Sequence, residues 1–108
     1  GSFTSGSANN GGISASSLSS PTGLALDSAG GLYVGDFGNR RILYYPSGST
    51  TATRVYGQGG NFSTNTSNNG GVSANSLGGI LGIALDSSGG LYAADYINHR
   101  VLYFPSGN

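Results

Sequence analysis

Short apolar runs separated by polar turns recur along this chain, and two stretches show the pattern most clearly. In residues 30–46, GGLYVGDFGNRRILYYP, an apolar strand, a polar turn and a second apolar strand follow one another. Residues 89–105, GGLYAADYINHRVLYFP, repeat the same order. Apolar runs of this length, bounded by Gly, Pro, Asn and Asp, are typical of antiparallel strands joined by tight turns. The pattern therefore predicts two hairpins.

The two hairpins belong to a longer internal repeat. Asn10–Ser49 aligns without gaps on Asn69–Asn108 at an offset of 59 residues, and about 24 of the 40 aligned positions are identical. Self-similarity at a fixed period is typical of repeat architectures, in which each repeat is one structural unit. The repeat in the sequence therefore predicts two copies of one structural unit.

Each copy carries further strands beside its hairpin. The strands predicted in the first copy cover residues 23–27, 32–35, 41–45 and 51–56. Those predicted in the second copy cover residues 82–86, 91–94 and 100–104. The second copy stops before a counterpart of residues 51–56, so we expect its sheet to lack an outer strand.

Both faces of the predicted strands are apolar. In strand 41–45, Ile42 and Tyr44 point to one face while Leu43 and Tyr45 point to the other. An antiparallel sheet with one face in water alternates apolar with polar residues instead. Nothing in the sequence predicts a helix that could cover such sheets. We therefore predict an all-β fold in which small sheets cover one another, as the blades of a β-propeller do.

Composition narrows the possible functions. The 108 residues include 21 Gly, no Cys, and four Arg against four Asp. Disulfides and cysteine-based metal sites are excluded. A net charge of zero argues against a nucleic-acid partner, because basic residues supply most of that affinity. No apolar run reaches the roughly 20 residues that span a bilayer, so no membrane segment is expected. No cell compartment is predicted.

Three short motifs in each copy resemble a known repeat. They read PTGLALD at residues 21–27, GLYVGD at 31–36 and NRRI at 39–42. Their counterparts are GIALD at residues 82–86, GLYAAD at 90–95 and NHRV at 98–101. Together these motifs resemble the NHL repeat. The resemblance implies propeller blades of four strands, usually about six to a ring.

The organisation expected from the repeat has four parts. Residues 1–20 form a polar lead-in, and residues 21–56 form a first blade of the NHL type. Residues 57–79 form a long inter-blade loop rich in Gly, Ser and Asn, and residues 80–108 form a second, truncated blade. The terminal Gly1-Ser2 and the incomplete second blade suggest an excised fragment or an engineered chain.

All four carboxylate side chains occupy repeat positions. Asp27 and Asp86 are equivalent and are expected to cap turns, since Asp bonds the backbone two residues on. Asp36 and Asp95, the first residues of the Asp-x-x-Asn-x-Arg pattern, are expected to pair with Arg41 and Arg100. A planar guanidinium can form two parallel hydrogen bonds with one carboxylate, so bidentate pairs are predicted. Acid/base chemistry is disfavoured because a catalytic group should break the repeat symmetry.

The sequence predicts no catalytic, metal or cofactor site. His99, the single histidine, replaces Arg40 and is expected in an exposed turn, without the three or four ligands of a zinc site. Six aromatic residues are expected to fill the space between blades, with a stacking site for sugars as the other reading. They are Tyr33, Tyr44, Tyr45, Tyr92, Tyr103 and Phe104.

Two blades cannot close a ring, and their open faces and edges would drive association. We therefore predict a non-catalytic, self-assembling scaffold whose partners are copies of itself. A homotrimer would form six blades, and a homotetramer forming eight is the alternative. Another function remains open: residues 57–76 and 1–20 form long loops, which are often functional, and these loops could bind a glycan or peptide.

Overall fold

The computed structural model describes residues 5–106. Residues 1–4 of the predicted lead-in, and residues 107–108 of the predicted second blade, lie outside this range. The described chain forms two antiparallel sheets, with four strands in the first and three in the second. Its remaining regular structure consists of three short 3-10 turns. The all-β prediction is confirmed, and the two sheets have the form of propeller blades.

The first sheet has the order β1-β2-β3-β4. Its strands are Pro21–Leu26, Leu32–Asp36, Arg41–Tyr45 and Arg54–Tyr56. The outer strand β4 is half as long as predicted: residues 51–53 lie outside it, although the amide of Thr53 still donates to the carbonyl of Tyr44 in β3. The amide of Ala52 donates to the carbonyl of Ala15 in the lead-in instead.

The second sheet has the order β5-β6-β7. Its strands are Ile80–Leu85, Leu91–Asp95 and Arg100–Phe104. The registers repeat those of the first sheet at the offset of 59, including a shift in the innermost strand after Pro21 and after Ile80. Among residues 5–106 no strand pairs with the outer edge of β7, as the sequence predicts.

Strand alternation gives each sheet two apolar faces, which we name by their commonest large residue. The tyrosine face of the first sheet comprises Ala25, Tyr33, Ile42, Tyr44 and Tyr56. The leucine face of the second sheet comprises Ile83, Leu85, Leu91, Ala93, Leu102 and Phe104. These two faces pack against each other and form the core of the chain.

A row of aromatic rings runs through this core. Tyr33 packs on Tyr44 with ring centroids 4.7 Å apart, and Tyr56 packs on Phe104 across the two sheets at 5.0 Å. At the inner strands the sheets approach closely, and a Cβ on Gly23 would lie 3.4 Å from the backbone of Gly82. The prediction that aromatic residues fill the space between blades is confirmed for Tyr33, Tyr44 and Phe104.

The long connection between the sheets is folded back onto the first hairpin. The side chain of Gln58 is 1% exposed and donates to the carbonyls of Arg40 and Thr66. Its oxygen accepts from the hydroxyl of Thr64 and the amide of Thr66. Leu77, near the end of the connection, is fully buried in the core. This segment is therefore anchored at both of its ends.

Candidate functional site

The Asp-x-x-Asn-x-Arg turn of the first sheet is a buried polar cluster. The guanidinium of Arg41 donates from Nε to Asp36 at 2.8 Å, and both side chains are fully buried. Its other nitrogens donate to the backbone carbonyls of Ser14, Ser17 and Phe62. The predicted ion pair is confirmed, whereas the predicted bidentate geometry is wrong. Arg41 uses one nitrogen for the carboxylate and the others to hold the lead-in and the inter-sheet loop.

Asn39 extends this cluster to the start of the described chain. Its amide donates to Asp36 at 2.8 Å and exchanges two hydrogen bonds with the side chain of Asn9. The other oxygen of Asp36 accepts from the amide of Ser19 at 2.7 Å. Each member of the motif therefore clamps a different part of the chain onto the hairpin. These contacts explain why the motif contains an Asp, an Asn and an Arg.

The second sheet repeats the cluster in a more open form. Arg100 donates from Nε to Asp95 at 2.9 Å, but its side chain is 23% exposed. A single carbonyl, that of Ser76, takes the place of the carbonyls that surround Arg41. Burial by itself raises the pKa of Asp95, yet hydrogen bonds from Asn98, Gly79 and Arg100 lower it overall. The Asp95 carboxylate is therefore held ionised.

The two β-turns that follow β1 and β5 are capped by aspartates. Asp27 accepts from the amides of Ala29 and Gly31, and its second oxygen accepts from the hydroxyl of Tyr44 at 2.7 Å. Asp86 is bonded in the same way, with Tyr103 as its hydroxyl donor. The tyrosine hydroxyl is the main cause that lowers the pKa of each aspartate. The predicted turn-capping role is confirmed.

A polar cleft of about 510 Å³ lies between these two turns. Arg54 projects into it, with its guanidinium 4.1 Å from the ring centroid of Tyr44. Among the described residues no carboxylate forms an ion pair with Arg54. Asp27 and Asp86 are ionised near neutral pH, as ordinary aspartates are, and their hydrogen bonds lower the pKa of each carboxyl further. Neither is suited to donate a proton to a substrate there.

The leucine face of the first sheet is open to solvent at its inner end. It comprises Leu24, Leu26, Leu32, Val34, Leu43 and Tyr45. Val34 and Leu43 are buried, while Leu24 and Leu26 are 68% and 70% exposed. An apolar groove of about 540 Å³ runs along this face, and none of the residues that line it is charged. The inner part of this face is thus left uncovered by the described residues.

The tyrosine face of the second sheet is the other open surface. It comprises Ala84, Tyr92, Val101 and Tyr103. Tyr92 and Tyr103 stack with centroids 4.7 Å apart, and both are nearly half exposed. Val101 is 69% exposed. The aromatic residues that fill the core in the first sheet therefore face solvent in the second within one chain, and the packing of Tyr92 and Tyr103 between blades stays a prediction.

The sequence of the first sheet and its preceding turn has a match among known families. Residues 18–48 match the family model of the NHL repeat. This segment is similar to the NHL repeat. No curated protein matches the chain. The match spans β1, β2 and β3 together with the Asp36–Arg41 cluster, so the predicted resemblance is confirmed. The second sheet repeats the topology of β1, β2 and β3 strand by strand.

The remaining predicted positions lie apart from one another. His99 lies in the turn before β7, with its side chain exposed as expected. Within residues 5–106 no three His, Cys, Asp or Glu side chains are grouped so as to hold a metal ion. The same range contains no helix long and apolar enough to cross a bilayer. The sequence predicted that a chain of two blades has open faces. It did not show which copy of each face is open, because equivalent residues are buried in one sheet and exposed in the other.

Tyr56, at the end of β4, makes the packing between the two sheets sensitive to alkaline pH. Burial raises the pKa of its hydroxyl from the ordinary 10.0 to about 12. Tyr56 therefore contributes stability that is complete below the unfolded pKa and is lost as pH rises through the folded one. Between about pH 10 and about pH 12 we expect the free energy of unfolding to fall, as measured by urea denaturation at fixed pH values. For Tyr56→Phe the free energy of unfolding should fall less steeply over the same pH range. Identical slopes for the variant and the wild-type chain would contradict this assignment.

Proposed function

We propose that the chain is a non-catalytic propeller module that associates with copies of itself head to tail. One observation carries this proposal. The two open faces are repeat copies of the two faces that pack together inside the chain. The tyrosine face of the second sheet is equivalent to the buried tyrosine face of the first, and the open leucine face is equivalent to the buried one.

The chemistry of the two faces supports their contact. In the core, Ile83 and Leu85 lie partly buried against the tyrosine face of the first sheet. Their counterparts at the offset of 59, Leu24 and Leu26, are exposed in the uncharged groove. The exposed pair Tyr92 and Tyr103 has the spacing of Tyr33 and Tyr44, 4.7 Å in each case. A second copy could therefore repeat the internal packing without new geometry.

A contact of this kind is heterologous, because it joins two different surfaces. Such contacts generate a ring when the rotation between copies closes, and a filament when it does not. Propellers contain about four to eight blades around a central axis. Three copies would supply six sheets, which is the arrangement we propose. Four copies would supply eight, and this ring is the alternative.

The absence of a catalytic role is part of the proposal and is supported by the carboxylates. Three of the four, Asp27, Asp86 and Asp95, have lowered pKa values caused by hydrogen bonds to their own repeat. The fourth, Asp36, is fully buried against Arg41. A binding role for the long loop has less support, because Gln58 directs the polar groups of that loop inward.

Native mass spectrometry and light scattering would test the association. We expect a species of three times the chain mass of 10.7 kDa, or four times for the larger ring. Val101→Arg places a charge on the open tyrosine face and should give a monomer. Val72→Arg is the matched control, because Val72 is equally exposed but lies in the inter-sheet loop. A wild-type chain that stays monomeric at high micromolar concentration would overturn the proposal.

A further inference from the structure

The polar cleft between the turns that follow β1 and β5 contains an arginine without a carboxylate partner. Arg54, on β4, lines this cleft together with Asp27 and Asp86, and both walls belong to the described chain. Among residues 5–106 no carboxylate forms an ion pair with its guanidinium. We propose that the cleft binds a sugar acid, a pyranose that carries one carboxylate and several hydroxyl groups, and that Arg54 holds the carboxylate.

Aromatic rings fix the guanidinium of Arg54 in one position. Its central carbon lies 4.1 Å from the ring centroid of Tyr44 and 5.8 Å from that of Tyr33. Nη1 donates to the hydroxyl of Tyr56 at 3.4 Å. A guanidinium is stabilised over the face of a tyrosine ring, and its planar fork of N–H donors matches the two oxygens of a carboxylate. A carboxylate in the cleft would therefore meet a donor group that is already oriented.

The two aspartates favour hydroxyl groups on the rest of the ligand. Asp27 accepts two backbone amides at Oδ1 and the hydroxyl of Tyr44 at Oδ2. Asp86 has the same set, with the hydroxyl of Tyr103 at Oδ2. Since a carboxylate oxygen can accept two hydrogen bonds, each Oδ2 keeps one acceptor site. A hydroxyl group donates a single hydrogen bond and fits such a site.

The same aspartates limit the negative charge that the cleft can accept. Their turn amides and tyrosine hydroxyls already bond to both carboxylates, so Arg54 is the cation in the cleft that remains for a ligand. One guanidinium can offset the single charge of a carboxylate. A phosphate or sulfate dianion would be repelled by the two neighbouring carboxylates, because like charges at short range disfavour each other. The charges therefore favour a monoanion.

Serine hydroxyls complete the walls of the cleft. Ser28, Ser87 and Ser88 line it and are exposed, and no described residue bonds to their hydroxyl groups. A serine hydroxyl both donates and accepts hydrogen bonds, as the hydroxyls of a sugar do. Leu85, partly buried between the sheets, offers an apolar contact for the C–H groups of the ring. The volume of about 510 Å³ lies within the range of about 300–1,000 Å³ that is typical of ligand pockets.

This site is separate from the inter-sheet loop and does not need a second copy of the chain. The turns that form it lie at one end of β2, whereas the Asp36–Arg41 cluster and the loop bonded to it lie at the other. The inference therefore goes beyond the proposed association. A measurement of ligand binding can fail or succeed independently of a measurement of mass.

Titration of the full chain with sodium glucuronate at fixed ionic strength, followed by NMR, would test the inference. We expect the amide signals of Ser28 and Ser88 to shift and to saturate with one ligand per chain. Glucose has a similar ring without the carboxylate, and acetate has the carboxylate without the ring. Each should bind at least about tenfold more weakly than glucuronate, which corresponds to about 1.4 kcal/mol.

Arg54→Gln removes the cation and should weaken glucuronate binding at least about tenfold, while the weak binding of glucose should not change. Arg40→Gln is the matched control, because Arg40 is also half-buried but lies in the turn at the other end of β2. Circular dichroism would confirm that both variants fold, and the comparison of glucuronate with glucose on the wild-type chain needs no variant. Absence of saturation, equal binding of glucose, or undiminished glucuronate binding by Arg54→Gln would each overturn the inference.

Discussion

Arg41→Ala lowers the free energy of unfolding by about 3–5 kcal/mol, the cost typical of removing one partner from a buried ion pair. The side chain is fully buried, and its loss leaves the buried carboxylate of Asp36 without its cation. Three backbone carbonyls lose a charged donor as well. Small domains have a total stability of about 5–15 kcal/mol, so this loss is a large fraction of it. Urea denaturation followed by circular dichroism would measure the change.

Arg100→Ala is the matched control for this prediction, because it removes the equivalent side chain from the second sheet. Arg100 is 23% exposed and bonds to a single backbone carbonyl oxygen besides Asp95. Water can therefore replace some of the lost hydrogen bonds, and we expect a clearly smaller loss in the free energy of unfolding. Both variants should be compared at one protein concentration, since association makes stability concentration-dependent. Equal losses for the two variants would contradict the clamp assigned to Arg41.

Leu77→Ala should lower the free energy of unfolding by about 2–5 kcal/mol, the range for leucine truncation in a packed core. Leu77 has no exposed surface and lies in the core cluster that joins the two sheets. Its deletion would leave a cavity next to Gly57, where an added Cβ would lie 3.1 Å from Leu77 Cδ1. Thermal and urea denaturation would report the loss.

Val72→Ala provides the control for Leu77, because it truncates an apolar residue of the same connection that is 67% exposed. Surface substitutions of this kind usually change stability by less than about 0.5 kcal/mol. The loss of stability for Leu18→Ala should lie between the losses for Leu77→Ala and Val72→Ala. Leu18 is the repeat counterpart of Leu77 but is only half-buried. A loss as small for Leu77→Ala as for Val72→Ala would show that the connection does not belong to the core.

Strand positions could be predicted from the sequence because period-two patterns are local. The β3 strand, residues 41–45, and the β7 strand, residues 100–104, begin and end where the pattern placed them. The prediction was wrong where a tertiary contact competes with the ladder. Residues 51–53 alternate like a strand, yet Ala52 bonds to the lead-in instead.

The polar cluster could be predicted only in part. The pairing of Asp36 with Arg41 followed from their spacing, and it is confirmed. The other partners of Arg41 are backbone carbonyls, which every residue carries, so no residue type marks them in advance. Gln58 and Leu77 were overlooked for a related reason. Each stands alone in a stretch rich in Gly, Ser and Asn, where composition indicates a loop and hides single buried anchors.

The chain's sequence by itself determined a repeated unit, its strands and the apolar character of both faces, because these follow from residue order and from the two-residue period of a strand. Only the tertiary structure decided that Tyr33 is buried while its counterpart Tyr92 faces solvent. Equivalent residues have equal preferences for burial. Which of them is covered depends on which sheet lies beside it, and that is a property of the packed molecule.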